Sequence, residues 1–403
     1  MPHRAAERVA RESYGRLVAV LAARTRDVAA AEDAVSGALL EALDRWPDTG
    51  VPANPEGWLV AVARRRAVDG VRRSAVAERA RETLSIVLRQ VGEAYDPADA
   101  PFPDERLKLL FVCGHPAIDP GARTPLMLQT VLGLDAARIA SAFLVSPAAM
   151  GQRLVRAKDR IREAGIPFGT PELRELPERV DAVLGAIYAA FTVAGEDGGA
   201  LAREAIWLAR TVTALMPDEP EARGLLALLL HAHARRPARR TENGCYVRLS
   251  DQDPALWSAD LIAEAERELA RAATAQRPGR YQLEAAIQSV HAARRRTGRT
   301  EWGAIACLYR ELRRLTPARG AAVGEAASLL HARGPDACLG VLDSIEARAV
   351  ASYQPYWAVR AECLRAAGRA DEAAAAYDRA IGLSEDLGVR SFLAEERART
   401  SRT

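Results

Sequence analysis

Apolar residues recur at helical spacing in one stretch of the chain after another. Tyr14, Leu17, Val18 and Leu21 form a first stripe. After residues 24–27 a second helix is predicted over 28–45. Ala31, Val35, Ala38, Leu39 and Ala42 lie on its apolar side, and Glu32, Asp33, Glu41 and Asp44 on its acidic side. Trp46-Pro47 is expected to end it, because the residue before a proline is biased away from the helical region. A loop rich in Pro and Gly follows to Pro55. A third helix starts at Pro55 or Glu56 and carries Trp58, Leu59, Val62, Ala63, Ala67 and Val71 on one side. Residues 75–90 continue as an amphipathic helix. Residues 92–103, with Asp96-Pro97 and Pro101-Phe102-Pro103, read as a linker.

The sharpest pattern lies between Thr124 and Gly165: short helix, tight turn, basic helix. Asp135 is a good N-cap, with Arg138, Ile139 and Ala142 at helical spacing behind it. Phe143, Leu144 and Val145 make a brief apolar connection. Ser146 then caps a second helix with Pro147 at its first position, where a missing N–H is harmless. Met150, Leu154, Ala157 and Ile161 share one face. Gln152, Arg153, Arg156, Asp159 and Arg160 fall mostly on the others. A buried stripe backed by guanidinium groups suits a helix lying in a DNA major groove, where arginine can bind guanine edges or phosphates. The same pattern also fits a solvated amphipathic helix in a bundle, and both readings stay open at this point.

Beyond a Pro- and Gly-bearing connector at 166–176, helix pairs are expected to the end of the chain, with Pro177 beginning the first helix. A first pair is suggested by residues 200–216 and 221–234, and a degenerate second helix by 302–317. The best repeat match is Tyr356 to Glu385. There Ala361, Leu364, Gly368, Ala373, Tyr377 and Ala380 sit at the spacings of a tetratricopeptide helix-turn-helix. Stacked Ala-rich pairs form a superhelix, structural in itself or able to bind a peptide or another domain. Asn243-Gly244 between short extended pieces predicts a small hairpin. The acidic and aromatic residues around Trp257 and Tyr281 read more readily as caps than as a pocket.

At 403 residues the chain has room for two or three domains. Hydrophobic residues at 49% supply ample cores, and aromatics at only 5% beside abundant Ala, Arg and Leu favour helices over sheets. The fold class expected is all-α. Net charge is only +3, so any nucleic-acid affinity must come from local clustering. Arg64, Arg65 and Arg66 are such a cluster. One basic group late in a helix merely complements the dipole, but three in succession point around the helix and favour phosphate contact. Trp58 shares a face with Val62 and is read as core ahead of a base-stacking platform. The cysteines, Cys113, Cys245, Cys307, Cys338 and Cys363, are scattered and read as buried thiols in a reducing compartment. Cys113-Gly114-His115 is half a metal site with no second pair nearby, so no metal and no cofactor are expected. Phosphate loops and hydrolase or metalloprotease signatures are not found, and an enzyme is not expected. The longest apolar run, 224–230, is too short to span a bilayer, so a cytoplasmic protein without a membrane partner is expected.

Two segments carry a family resemblance. AEDAVSGALLEAL, then a loop, then NPEGWLVAVARRRAVDGVRR, resembles region 2 of the extracytoplasmic-function sigma factors of bacterial RNA polymerase. The helix-turn-helix resembles region 4 of the same family, in matching order and separation. DERLKLLFVCGHPAI, IASAFLVSPAAMGQRLVRAKDRIREAGIPF and LPERVDAVLGAIY are similar to a subgroup with a long helical-repeat extension. The resemblance covers nearly the whole chain and is most specific from region 4 into residues 176–188.

It implies a region 2 bundle over 1–80, a linker over 81–103, region 4 over 104–166 and a tetratricopeptide-like regulatory domain over 167–403. The helix at 28–45 would dock on the clamp helices of the largest polymerase subunit through Glu32, Asp33, Val35, Leu39 and Leu40, with a further contact to the flap. Asn54, Trp58, Arg64, Arg65, Arg66, Asp69, Arg72 and Arg73 would hold the melted −10 strand and a flipped base. Ser146, Gln152, Arg153, Arg156, Lys158 and Arg160 would read the −35 duplex. Asp197, Gly198 and Gly199 resemble an Asp-Gly-Gly motif of the subgroup and read as a hinge or contact, or as a plain connector. One departure is Gly37, inside the docking helix where relatives carry a longer polar residue. A glycine there costs about 1 kcal/mol relative to alanine, which points to weaker polymerase affinity. The function implied is an alternative sigma factor. Its helical extension would tune it by packing on regions 2 and 4 or by receiving a protein regulator. The competing reading is a helical-repeat interaction scaffold with vestigial DNA-binding modules.

Overall fold

A computed structural model describes residues 2–74, 104–166, 168, 173–195, 199–316 and 318–400, with 2–12, 68–74 and 173 by backbone only. The described residues are helical with no strand, as the composition and spacing predicted. The chain divides into two compact units, residues 1–215 and 216–403.

The N-terminal unit opens with α1 (Pro2–Thr25), α2 (Val28–Thr49) and α3 (Pro55–Ser74), which pack on one another. Leu17, Val18 and Leu21 of α1 are buried with Val28, Ala31, Val35, Ala38 and Ala42 of α2. Asp27 starts α2 by accepting a hydrogen bond from Ala30 N at 3.0 Å. The expected stop at Pro47 is overridden. The helix runs through Pro47 to Thr49, and Gly50 N donates to Trp46 O at 3.1 Å. Trp46 is buried and meets Trp58 edge to face at 5.6 Å, and this packing holds the last turn in place against the proline bias.

α4 (Glu105–Cys113), α5 (Pro120–Thr130), α6 (Ala136–Ala142) and α7 (Pro147–Glu163) follow. The caps read from sequence form: Asp135 accepts from Arg138 N at 2.9 Å and Ser146 from Ala149 N at 3.2 Å. The turn between α6 and α7 bends at Leu144, which is exposed and left-handed at φ 54°. Met150, Leu154, Ala157 and Ile161 are buried as predicted. Cys113 is buried with its Sγ 3.6 Å from Thr130 Oγ1, and His115 accepts from Ala117 N through Nδ1.

Two further helices, α8 (Pro177–Ala194) and α9 (Gly199–Leu215), pack into this same unit rather than opening the repeat array. Arg179 of α8 donates to Phe111 O at 3.3 Å. Arg106 of α4 pairs with Glu204 of α9 and lies 4.3 Å over the Trp207 ring. The pair expected from 200–216 and 221–234 is therefore split between the two units.

The C-terminal unit begins with α10 (Pro220–Ala234), which packs against α11 (Ala259–Ala273) and α12 (Arg280–Ala292). Glu221 caps α12 from the side, accepting from Tyr281 N at 2.8 Å and Gln282 N at 3.1 Å, and Asp253, one of the acidic residues read as caps, accepts from Ala255 N at 2.8 Å. The predicted hairpin is reduced to a single antiparallel bridge, Arg240 with Tyr246, closed by Gly244 at φ 78°. After the one-turn helix α13 (Arg294–Thr297) come α14 (Trp302–Leu315), α15 (Arg319–Arg333), α16 (Pro335–Asp343), α17 (Ala347–Val350), α18 (Gln354–Ala366), α19 (Ala370–Leu383) and α20 (Leu387–Thr400). α18 and α19 form the antiparallel pair read from Tyr356 to Glu385, with Ala361, Leu364, Ala373, Tyr377 and Ala380 buried and Gly368 turning at φ 74°.

Cys113 is a buried thiol as expected, and the other four cysteines depart from that expectation. Cys338 of α16 and Cys363 of α18 face one core and are joined as a disulfide, and Cys245 and Cys307 are exposed.

Candidate nucleic-acid interface

The second helix of the helix-turn-helix turns two chemistries in opposite directions. Its apolar stripe is sealed, while Gln152, Arg156 and Arg160 stand exposed at four-residue spacing along the other side. Arg153 is half-buried and donates to Gly121 O at 3.4 Å, and Arg160 Nε donates to Ala117 O at 3.3 Å. Ser146 is exposed, with its hydroxyl already used as the cap. Among the described residues Arg156 has no hydrogen-bond or ion-pair partner, which leaves its guanidinium fork for a ligand.

Lys158 differs from these neighbours. It turns inward and forms an ion pair with Glu32 of α2, with side-chain exposures of 14% and 11%. The −35 set and the polymerase-docking set from the sequence each contribute one partner to this pair. Burial raises the Glu32 carboxyl above its ordinary range, with Lys158 opposing the shift. α2 therefore divides its docking residues. Glu32 and Val35 belong to the interior, while Asp33 and Leu40 are exposed and Leu39 is half-buried. Leu40, at 63% exposure, is an apolar side chain with nothing packed over it.

In α3, Asn54 is exposed and accepts from Gly57 N at 2.9 Å, so it also serves as the helix cap. Trp58 is half-buried against Trp46. Arg64 and Arg65 are exposed; Arg66 is exposed too, but reaches Glu41 at 3.1 Å. The side chains of Asp69, Arg72 and Arg73 lie outside the described residues, as do Asp197 and Gly198; Gly199 is the first residue of α9.

Two features escaped the sequence reading. Gly37 lies against Arg66, whose Cδ and Nη1 would be 3.0 Å from a Cβ added there, so the glycine leaves room for the Arg66 arm to reach Glu41. Gly15 lies against the backbone of Val131, where a Cβ would overlap the carbonyl, and Gly133 receives the Tyr14 ring. A glycine inside the apolar stripe of α1 is the sign that could have revealed this close approach. Nothing local could have revealed the Lys158–Glu32 pair, which joins residues far apart in sequence.

Among the described residues no group of His, Cys, Asp and Glu could hold a metal, and no helix is long and apolar enough to cross a membrane.

Residues 9–76 match sigma-70 region 2, and residues 179–273 match a Family of unknown function (DUF6596). No solved structure matches the chain. The sigma-70 family is a non-enzymatic family of transcription factors that act with RNA polymerase core and promoter DNA. An uncharacterised protein of Rhizobium meliloti (strain 1021) is 40% identical over 378 residues, covering 91% of this chain and 89% of its own. At that identity and coverage the chain belongs to one family with the Rhizobium meliloti protein, and its residues 9–76 are similar to sigma-70 region 2.

Proposed function

We propose that the chain is an alternative sigma factor of the extracytoplasmic-function type, with residues 104–166 as its region 4. It gives RNA polymerase core a promoter choice and opens the −10 element. The observation that carries this reading is the exposed row Gln152, Arg156 and Arg160 on the second helix of a helix-turn-helix, in a chain that matches region 2 upstream. Arginine forks on such a helix suit guanine edges and phosphates of the −35 duplex. Arg64 and Arg65, exposed on α3 beyond Asn54 and Trp58, suit the backbone of a displaced strand. Asp33, Leu39 and Leu40 form the part of α2 that can meet a partner, with Leu40 as its apolar anchor. The helical C-terminal region tunes this activity, with Asp197, Gly198 and Gly199 as the hinge.

The reading is tested by selecting DNA from random oligonucleotides with core polymerase present, followed by run-off transcription from the selected sequences. A two-part consensus that supports run-off is the expected result. Recovery of no common sequence, with no stimulation of core polymerase, would leave the scaffold reading in its place.

A further inference from the structure

The C-terminal unit holds a buried positive charge that no carboxylate answers. Arg235 directly follows α10 and is 7% exposed. Its Nη2 donates to Gln288 of α12, a neutral acceptor, and its Nε has no hydrogen-bond partner. The chain then turns through a single 3-10 turn, Arg236–Ala238, and brings Arg239 back beside it. The Arg240–Tyr246 bridge delivers Tyr246, α13 delivers Arg294, and α14 delivers Tyr309, all close enough to act on the same charge. Burial first, then Arg239, pushes the Arg235 guanidinium down to about 10.

Arg294 is held in the same unsatisfied manner. It donates to Ser250 O at 2.5 Å and Gln252 O at 2.6 Å, and lies 5.1 Å over the Trp257 ring, while its buried Nε has no partner. Its nearest acidic influence, Asp251, is bonded to Arg248 at 2.6 Å.

Among the described residues, one other buried arginine, Arg179, and the part-buried Arg223 and Arg106 are treated differently. Arg223, in the same unit, meets Glu268 at 2.6 Å; Arg179 meets Glu175 at 3.1 Å; Arg106 meets Asp104 at 2.9 Å. A buried guanidinium left without an anion carries a desolvation penalty that nothing offsets. A fold that gives these arginines a carboxylate and leaves Arg235 with none has a place for an anion supplied from outside. Arg239, Tyr246, Tyr309 and Arg294 are each only partly buried, so an anion reaching Arg235 would approach past side chains that meet solvent.

We propose that the C-terminal unit binds a small soluble oxyanion, the phosphate or carboxylate group of a low-molecular-weight ligand, at Arg235, with Arg239 and the tyrosines at its rim. The planar fork of arginine matches either group in a bidentate pair. The site lies wholly within the C-terminal unit, so its test needs neither polymerase nor DNA.

The full chain is titrated by calorimetry with inorganic phosphate in one arm and citrate in the other, with ionic strength matched by sodium chloride. The expected result is saturable one-site binding of at least one probe. Affinity should fall by about thirtyfold or more in Arg235→Gln, as for other truncated charge pairs, and less in Arg239→Ala. Preference for phosphate or citrate identifies which anion the site takes. If Arg235→Gln does not fold, Arg239→Ala alone decides: weakened binding supports the site and unchanged binding overturns it. Absence of saturation by either probe up to roughly 10 mM, or heats equal to those of sodium chloride, also overturns it.

Discussion

At the residue scale, orientation separates side chains that share one helix and one chemistry. Gln152, Arg156, Lys158 and Arg160 occupy one short helix and look interchangeable as anion contacts. In the folded unit Arg156 is free and exposed, whereas Lys158 is turned into an ion pair with Glu32. The apolar stripe predicted which positions are buried. It could not predict Lys158, because its partner comes from a helix more than a hundred residues away and an ion pair leaves no periodic trace. The two residues should respond differently to truncation. Arg156→Ala should leave stability nearly unchanged, as exposed substitutions do, and weaken binding of the selected DNA by about 1–3 kcal/mol. Lys158→Ala leaves the Glu32 carboxylate buried without its cation, a change that costs about 3–5 kcal/mol when a pair is fully buried and less here. Urea unfolding and a DNA-binding titration of both variants separate these outcomes. Equal effects of the two substitutions on both assays would contradict the orientation described.

At the element scale most boundaries were legible, because they are set by local chemistry. Asp135, Ser146 and Pro147 cap where expected, and α3 starts at Pro55. The boundaries that were not legible are those where packing prevails. Trp46 carries α2 through Pro47, and α9 packs with α4 and α8 within the N-terminal unit. Within the C-terminal unit, α10 and α12 each bury a histidine whose environment opposes protonation. His231 is lowered to about 4 by burial and then Arg235. His291 is lowered to about 4 by burial, Arg235 and Arg294. Glu266 lies 3.4 Å from His231 Nε2, too long and too exposed to offset this. With a folded value below the unfolded 6.5, the unfolded chain binds more protons between about pH 4 and 6.5. The stability contributed by each neutral histidine is thus complete above pH 6.5 and declines as pH falls toward 4, by at most about 3 kcal/mol each. His231→Leu keeps the volume and removes the titration. Its stability relative to wild type, from urea midpoints, should rise steadily between pH 7 and 4.5. A difference that stays constant across that range would show that His231 is not held neutral.

At the scale of the whole molecule, the N-terminal unit presents a geometrical conflict with its proposed task. Region 2 and the proposed region 4 touch where Tyr14 and Gly15 meet Val131 and Gly133, and again at Lys158 and Glu32. A 215-residue compact body is about 45 Å across, from a radius of gyration of about 17 Å. Two DNA elements centred about 25 base pairs apart are separated by about 85 Å at 3.4 Å per pair. One closed unit cannot span that length, so promoter binding requires the two modules to separate between α3 and α4. The contact at Gly15 is the most sensitive place to intervene, because the obstacle to any larger residue is the Val131 backbone and not a flexible side chain. Gly15→Ala should push α1 away from that turn and destabilise the closed form by about 1–3 kcal/mol, as overpacking does. If separation limits promoter binding, the same substitution should increase DNA binding in the presence of core polymerase. A probe pair on the exposed residues Asp48 and Glu163, neither of them placed in DNA contact, each replaced by cysteine in a variant freed of its exposed native thiols, reports the spacing directly by spin-label or fluorescence distance. The distance should lengthen in Gly15→Ala alone and lengthen further on promoter capture. A spacing that is the same in the free and promoter-bound protein would mean that the modules act without separating, and the two-element reading would then lose its geometrical basis.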